Sequence, residues 1–282
     1  MEFIMHHILG KLSFILVLFF PITVFAQNMD PCNGLDDSAQ NVVQTVLSSS
    51  YAYDCCDETL ESCLKAEEVC PLVKSLKRQI CRHAAANKSE AEIKRILSQR
   101  ALSMTDTKPV KIATDPSMLW GNKDSKVVLS IYLCVRCQFC SKHISTLLTN
   151  MRATGLLDKV AVNIRLFPIK SHKDSTITAL AVEAAARLGK GIEYLLLQYA
   201  HFDDYKRENL ELWAVELGLD AKEFNAMLKD SVTRKNVADS KKEGLQIGVT
   251  KTPTFYINGK LVRSAFNSDD LIDMLEESLT QQ

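Results

Sequence analysis

A chain of 282 residues can hold one large domain or two small ones, and 46% hydrophobic against 24% charged side chains is a globular balance that excludes a disordered polymer. Lysine plus arginine equals aspartate plus glutamate at 34 each, so no charge excess points to nucleic acid or an anionic surface as partner. The nine cysteines carry the information that charge lacks.

The first 26 residues read as an address. His6, His7 and Lys11 precede a largely apolar run from Leu12 to Ala26, broken by Pro21 and closing with Val24-Phe25-Ala26, small residues at the positions a signal peptidase reads. The run is shorter than the ~18–20 apolar residues of a spanning helix. Residues 1–26 are therefore expected to be a cleaved secretory signal, with an uncleaved anchor as the alternative. No cysteine lies at the cleavage point, so lipidation is not indicated. Outside the cytosol disulfides form and persist, so the remaining cysteines are read as disulfides or as machinery that handles them.

Residues 27–105 hold Cys32, Cys55, Cys56, Cys63, Cys70 and Cys81. Apolar stripes at Val42, Val43, Val46 and Leu47, at Leu72, Val73, Leu76 and Ile80, and at Ile93, Ile96 and Leu97 predict helices. Ser89-Glu-Ala-Glu92 is a capping box that starts the third. A small all-α domain of this size has a thin core, which disulfides commonly supplement. The first reading of the six cysteines is three structural disulfides. Adjacent Cys55 and Cys56 should not pair with each other, because Cα atoms about 3.8 Å apart fall below the usual disulfide range. A redox relay to the rest of the chain is the sharper alternative; a zinc site lacks the paired spacings of structural zinc folds.

The boundary falls near residue 105. Asp106 to Ser125, with Pro109, Pro116, Gly121 and Asn122, reads as a linker with an edge strand at Val110 and Ile112. Val127 to Leu133 is Val-Val-Leu-Ser-Ile-Tyr-Leu, a buried strand by composition and length. It runs directly into Cys134-Val-Arg-Cys137-Gln-Phe-Cys140. Beyond, Ile144, Leu147, Leu148 and Met151 recur at helical spacing, and Cys140 lies on the same face. The cysteines thus sit where a strand turns into a helix. The first turn of a helix has unpaired N–H groups and the positive end of the macrodipole, and both favour a thiolate. Helix N-termini lower a cysteine pKa from about 8.5 to between roughly 3.5 and 7.5. Cys137 is placed to be the nucleophile, and Cys140, one turn further on the apolar face, to be its resolving partner.

Val160, Val162, Ile164 and Leu166 alternate with Ala161, Asn163 and Arg165 as a strand ending at Pro168, which implies a parallel βαβ unit. Ser175 to Ile247 is helical in pattern, with stops at Gly189 and Gly218 and a capping pair at Asp220 and Glu223. Thr254 to Ile257, Asn258-Gly259 and Lys260 to Arg263 form a hairpin with the favoured two-residue turn. A last helix with Leu271, Ile272, Leu275 and Leu279 as its apolar face covers the sheet.

Strand, Cys-x-x-Cys, helix, and far downstream Gly248-Val-Thr-Lys-Thr252-Pro253-Thr-Phe-Tyr-Ile-Asn-Gly259, resemble the thioredoxin fold in its DsbA-like form. The expected architecture is an α/β thioredoxin-like fold over 106–282 with a helical insertion at about 175–247, preceded by the all-α cysteine-rich domain. The resemblance implies a protein thiol:disulfide oxidoreductase that needs no cofactor beyond a redox-active disulfide and works by exchange through a mixed disulfide. It implies that Pro253 is cis beside Cys137, with the Thr252 backbone pairing with an extended substrate. It favours Cys137 over Cys134, because a loop of about three residues separates strand and nucleophile in such domains. Cysteine-containing exported proteins and a separate redox partner are the implied partners, in the periplasm or outside the cell.

Departures from the family set expectations too. Gln138-Phe139 carries no histidine between the cysteines, so a milder pKa depression than in a strong oxidant is expected. Thr252 before Pro253 resembles the isomerase and reductase branches, and the direction of the reaction stays open. Ile131 stands six residues before Cys137, where many relatives hold a buried acid. Arg136 is a candidate for compensating positive charge or a solvated loop residue. Cys134 is an unpaired bystander, a second resolving thiol, or part of a three-thiolate copper or zinc site, which is the alternative class of function. The vicinal cysteines and Lys88-Ser-Glu-Ala-Glu-Ile93 faintly resemble CcmH-like proteins, which would imply a thiol reductase of cytochrome c maturation. The helical domain also leaves a docking or dimerisation role open.

Overall fold

The computed structural model describes residues 30–281 except 107 and 265, so the expected signal at 1–26 lies outside the described residues. Asp36 caps helix α1, Asp37–Ser49, by accepting the Ala39 N–H. The short α2, Leu60–Cys63, follows, unforeseen from the sequence because a single turn shows no periodicity. Helix α3, Pro71–Ala85, starts with proline in its first turn, where the missing N–H is no loss. Helix α4, Glu90–Met104, opens on the Ser89–Glu92 capping box, with both reciprocal bonds formed. Val46, Leu60, Val73, Leu76, Ile80 and Ile93 form the centre of this unit. Disulfides Cys32–Cys81, Cys55–Cys70 and Cys56–Cys63 tie it together. The chain turns at Cys55 with φ of 64°, and the vicinal cysteines go to different partners.

The second unit is built on a five-stranded sheet in the order β1-β3-β2-β4-β5. The strands are β1 (Leu119–Gly121), β2 (Val128–Leu133), β3 (Ala161–Leu166), β4 (Thr254–Ile257) and β5 (Lys260–Leu261). Strands β2 and β3 are parallel and joined by α5, Gln138–Ala153, while β4 pairs antiparallel with β2. The edge strand is 119–121, not the Val110–Ile112 stretch expected from alternation. Val110 gives one N–H to the Gly259 carbonyl and Ala113 turns its N–H to the Glu243 carboxylate, so no ladder develops there. Asn258 and Gly259 both have positive φ, 50° and 78°, as the two-residue hairpin turn requires.

Between β3 and β4 lie α6 (Ser175–Arg187), α7 (Gly191–Ala200), α8 (Asn209–Glu216), α9 (Ala221–Lys229) and α10 (Ser231–Gln246). Strand β3 is buried on both faces, its polar members included. Arg165 pairs with Glu243 of α10 at 2.7 Å, and Asn163 donates to the Ala113 carbonyl and to Ser130. Gly244 permits this approach: a Cβ there would meet the Phe167 and Tyr132 rings at 2.8–2.9 Å.

The last helix, α11 (Ser268–Thr280), capped by Asn267, packs on both α5 and α3. Its acids face the cysteine-rich unit. Arg100, fully buried, reaches Glu277 at 2.8 Å; Arg78 meets Asp273 at 2.9 Å; Arg82 pairs with both Asp270 and Asp273; and His83 lies 2.6 Å from Asp270.

Candidate active site

Strand β2 ends at Leu133, and one turn, closed by the Cys137 N–H on the Cys134 carbonyl at 3.0 Å, delivers Cys137 as the N-cap of α5. The Phe139 and Cys140 N–H groups of that first turn act on the Cys137 sulfur, which lies 3.5 Å from the Thr252 carbonyl beside the cis Thr252–Pro253 bond. Cys137 keeps 5% exposure and Cys140, one turn deeper, has none. Cys134, Cys137 and Cys140 are all free thiols.

Their electrostatics divide the pair. A hydrogen bond from Cys140, opposed by partial burial and reinforced by the Cys140 and Phe139 N–H groups and Thr252, lowers the Cys137 pKa to about 5. Burial first, and then the neighbouring Cys137, push the Cys140 thiol far above its ordinary range. On that division Cys137 is the thiolate of the pair and Cys140 the buried, protonated thiol.

The other sequence candidates fall differently. Arg136 is held between the Phe202 and Tyr205 rings, 4.4 and 4.3 Å from their centroids, and donates to the Phe202 carbonyl. That sandwich anchors the cysteine loop to the helical insertion; Arg136 is neither a solvated loop residue nor prominent among the influences on Cys137. Cys134 is fully buried, its sulfur 3.4 Å from His172 Nδ1 and accepting the Ile169 N–H at 3.5 Å. Burial holds its thiol up. Among the described residues no group of three or more His, Cys, Asp or Glu side chains is arranged to hold a metal ion. Ile131 is fully buried, so β2 offers Cys140 no carboxylate from that position.

Two neighbours escaped sequence reasoning. His172 lies in the turn after β3 with no motif around it, and Tyr199 on α7 reads as ordinary core. Beside the site Phe139 stands 67% exposed, stacked on His143, which in turn meets Phe266 at 4.6 Å.

A cysteine at the N-terminus of a helix, a buried partner three residues on and a cis proline across from them, on a β-α-β frame with a helical insertion, define a thioredoxin-like domain. Residues 113–277 match the family model described as Thioredoxin, and the chain belongs to that family. Over 62% of its length it superposes on the whole of BdbD from Bacillus subtilis, with a TM-score of 0.53 at 16% identity. The thiol-disulfide exchange protein α-DsbA2 of Wolbachia pipientis matches 65% of this chain and 94% of its own, at 20% identity and a TM-score of 0.49. Among curated proteins, the Na(+)/H(+) antiporter NhaA 1 of Mycobacterium sp. strain KMS is 30% identical over 167 residues, 55% of this chain and 26% of the antiporter. The NhaA antiporter of Herminiimonas arsenicoxydans is 28% identical over 158 residues, 25% of its length. The matched part thus spans about a quarter of these relatives. Among the described residues no helix is long and apolar enough to cross a membrane.

Proposed function

We propose that this chain is an exported thiol:disulfide oxidoreductase that acts on protein cysteines by exchange through Cys137 and Cys140. The observation that carries the reading is the split of the pair into a thiolate with a pKa of about 5 at the mouth and a protonated thiol beneath it. An extended substrate strand pairs with the backbone at Thr252, and the apolar surface of Phe139, His143 and Phe266 receives the residues flanking its cysteine. Its partners are cysteine-containing exported proteins and a separate redox protein that resets the pair; no further cofactor takes part. Export is supported by the three disulfides of the first unit, which an oxidising compartment maintains, and by the apolar run Leu12 to Ala26. The periplasm is the compartment proposed. The α3–α4 face bearing Arg78, Arg82 and Arg100 is occupied by α11, so self-association would use another surface.

The test is exchange with a model peptide disulfide by the full chain. Cys137→Ser is expected to abolish exchange, Cys140→Ser to stall it as a mixed disulfide, and Cys134→Ser to retain it. Exchange that persists in Cys137→Ser refutes the assignment.

A further inference from the structure

Arg136 directly precedes the nucleophile, and its guanidinium is fixed in place. The Phe202 and Tyr205 rings cover its two faces, 4.4 and 4.3 Å from their centroids. With its faces covered, a planar guanidinium bonds through its edges alone. Nη1 donates to the Phe202 carbonyl at 2.9 Å. Nε and Nη2, which together form one edge of the fork, have no partner among the described residues and are not sealed from solvent. Arg136 also lines a cavity of about 350 Å³, to which the turn before α6 contributes Lys173 and the loop between α7 and α8 contributes Lys206 and Arg207. Among the described residues none of these four cations belongs to an ion pair. Two acids share the lining, Asp174 and Glu208, against the four cations, a net charge of +2. Asp203 and Asp204 of the same loop lie outside the lining, and Asp204 turns to His201 at 3.2 Å.

We infer that this cavity receives an acidic side chain of the substrate, close in sequence to the cysteine that Cys137 attacks, with the free edge of Arg136 taking the carboxylate. This rests on the thiol-exchange reading above and adds the substrate class: disulfides flanked by aspartate or glutamate. The reach agrees. Neighbouring Cα atoms such as those of Arg136 and Cys137 are about 3.8 Å apart and extended peptide advances about 3.3–3.6 Å per residue, so a carboxylate about one to three residues from the attacked cysteine falls at Arg136. Nε and Nη2 present two parallel N–H bonds, the geometry that a carboxylate accepts in bidentate fashion. A guanidinium already held between two rings loses little further freedom on binding, whereas the exposed lysines would have to be ordered. Lys173, Lys206 and Arg207 supply the surrounding positive potential, which draws an anionic segment toward Cys137.

The experiment mixes the reduced full chain with disulfide-linked dimers of capped five-residue peptides. Each peptide has a central cysteine, alanine on either side of it, and glutamate, glutamine or lysine at both ends. The Cys137 thiolate attacks one sulfur, a Cys137–peptide bond forms as the bond of the dimer breaks, and the released peptide thiolate takes up a proton. Cys140 loses its proton to solvent and displaces the second peptide in the same way, so the dimer gains the two electrons that the protein pair loses. Consumption of the reduced chain is followed by mass after acid quenching. Each rate is divided by that of the same dimer with dithiothreitol, which removes the intrinsic reactivity of the peptide. At low salt the glutamate dimer is expected to react about 10-fold faster than the lysine dimer on that scale, the worth of a charge-assisted hydrogen bond discounted for solvent. Lys206→Glu combined with Arg207→Glu, which leaves the Arg136 sandwich in place, is expected to lower that ratio several-fold. A wild-type ratio of one or less, or a ratio that the double charge reversal leaves unmoved, overturns the inference while the exchange reading stands. If none of the three dimers is reduced, the exchange reading itself fails, and this inference with it.

Discussion

Removing the Cys140 thiol tests the origin of the Cys137 thiolate. Of the influences that set its pKa at about 5, the largest is the hydrogen bond from Cys140; the backbone N–H groups at the start of α5 contribute less. A hydrogen bond to a charged acceptor is worth about 1.5–3 kcal/mol, or about one to two pKa units. Cys140→Ala should therefore raise the Cys137 midpoint from about 5 to ~6–7. It should stay below the ordinary value of about 8.5, because the helix N-terminus is untouched. The assay is the initial rate of Cys137 alkylation by iodoacetamide against pH, with Cys134→Ala in both proteins so that the fully buried Cys140 is the other free thiol in the parent and Cys137 stands alone in the variant. Only the thiolate reacts, so the rate climbs as pH rises through the midpoint and is flat above it. In the parent the plateau is reached below neutrality, and in the variant the rate is still rising there. A midpoint that stays at about 5 would show that the helix terminus, not the neighbouring thiol, holds the charge; one at about 8.5 would show that the terminus contributes nothing.

The same thiolate sets the reduction potential. Relative to a pair with a pKa of about 7 and a potential of about −270 mV, a pKa of about 5 stabilises the dithiol form at pH 7 by ~2 kcal/mol, or about 50 mV for two electrons. Equilibration with glutathione buffers should give about −220 mV, and a value at either extreme of the superfamily would break the link between pKa and potential. Arg100→Ala leaves Glu277 buried with no cation beside it, its carboxylate held only by the Tyr53 hydroxyl and Gln281, and should destabilise the chain by about 3–5 kcal/mol in chemical denaturation; a loss under about 1 kcal/mol would show that water reaches the interface. In the oxidised protein, replacing both members of Cys32–Cys81, which are 49 residues apart, should cost about 4 kcal/mol by loop entropy, against about 2.4 kcal/mol for Cys56–Cys63 at a separation of 7. The reverse order in denaturant midpoints would show that the unfolded chain is not the state the bridges act on.

What was legible from the sequence was whatever is written locally. The run Val127 to Leu133, the helical spacing after Cys140 and the Asn258-Gly259 turn each carry their structure in a few neighbouring residues, and the strand, α5 and the hairpin follow them closely. So does the seat of Cys137, because a helix N-terminus is a local feature. What was not legible depends on residues distant in the chain. Arg136 reads as a solvated cation until α7 ends and the following loop brings Phe202 and Tyr205 onto both faces of its guanidinium. Asn163 and Arg165 read as the polar side of an alternating strand until α10 covers that face and supplies Glu243. The alternation at Val110 and Ile112 misled for the converse reason: it was locally right for a strand, but the partner row it needed is taken up by single bonds to Gly259 and Glu243.

The manner in which the cysteine-rich unit is attached bears on whether its disulfides can exchange with the active site. Asp270, Asp273 and Glu277 recur on one face of α11, and they meet Arg78 and Arg82, one turn apart on α3, together with Arg100 of α4. The buried pairs among these, those of Arg82 and Arg100, add little to stability over an apolar interface, because desolvation offsets most of the Coulombic gain. They do penalise every misaligned arrangement, since any slip of α11 leaves a charge buried without a partner. The two units are therefore held in one register. Within it, the Cys55–Cys70 bridge lines a groove with Pro71, Arg78 and Asp273 at the start of α3. The groups that meet Cys137 come instead from its own loop, the first turn of α5 and Thr252. The groove that holds the Cys55–Cys70 bridge and the surroundings of Cys137 thus share no residue, which favours a structural role for that bridge. The cysteine-rich unit then reaches the active site through α11, the helix against which α5 packs, by holding in place the helix that makes Cys137 a thiolate.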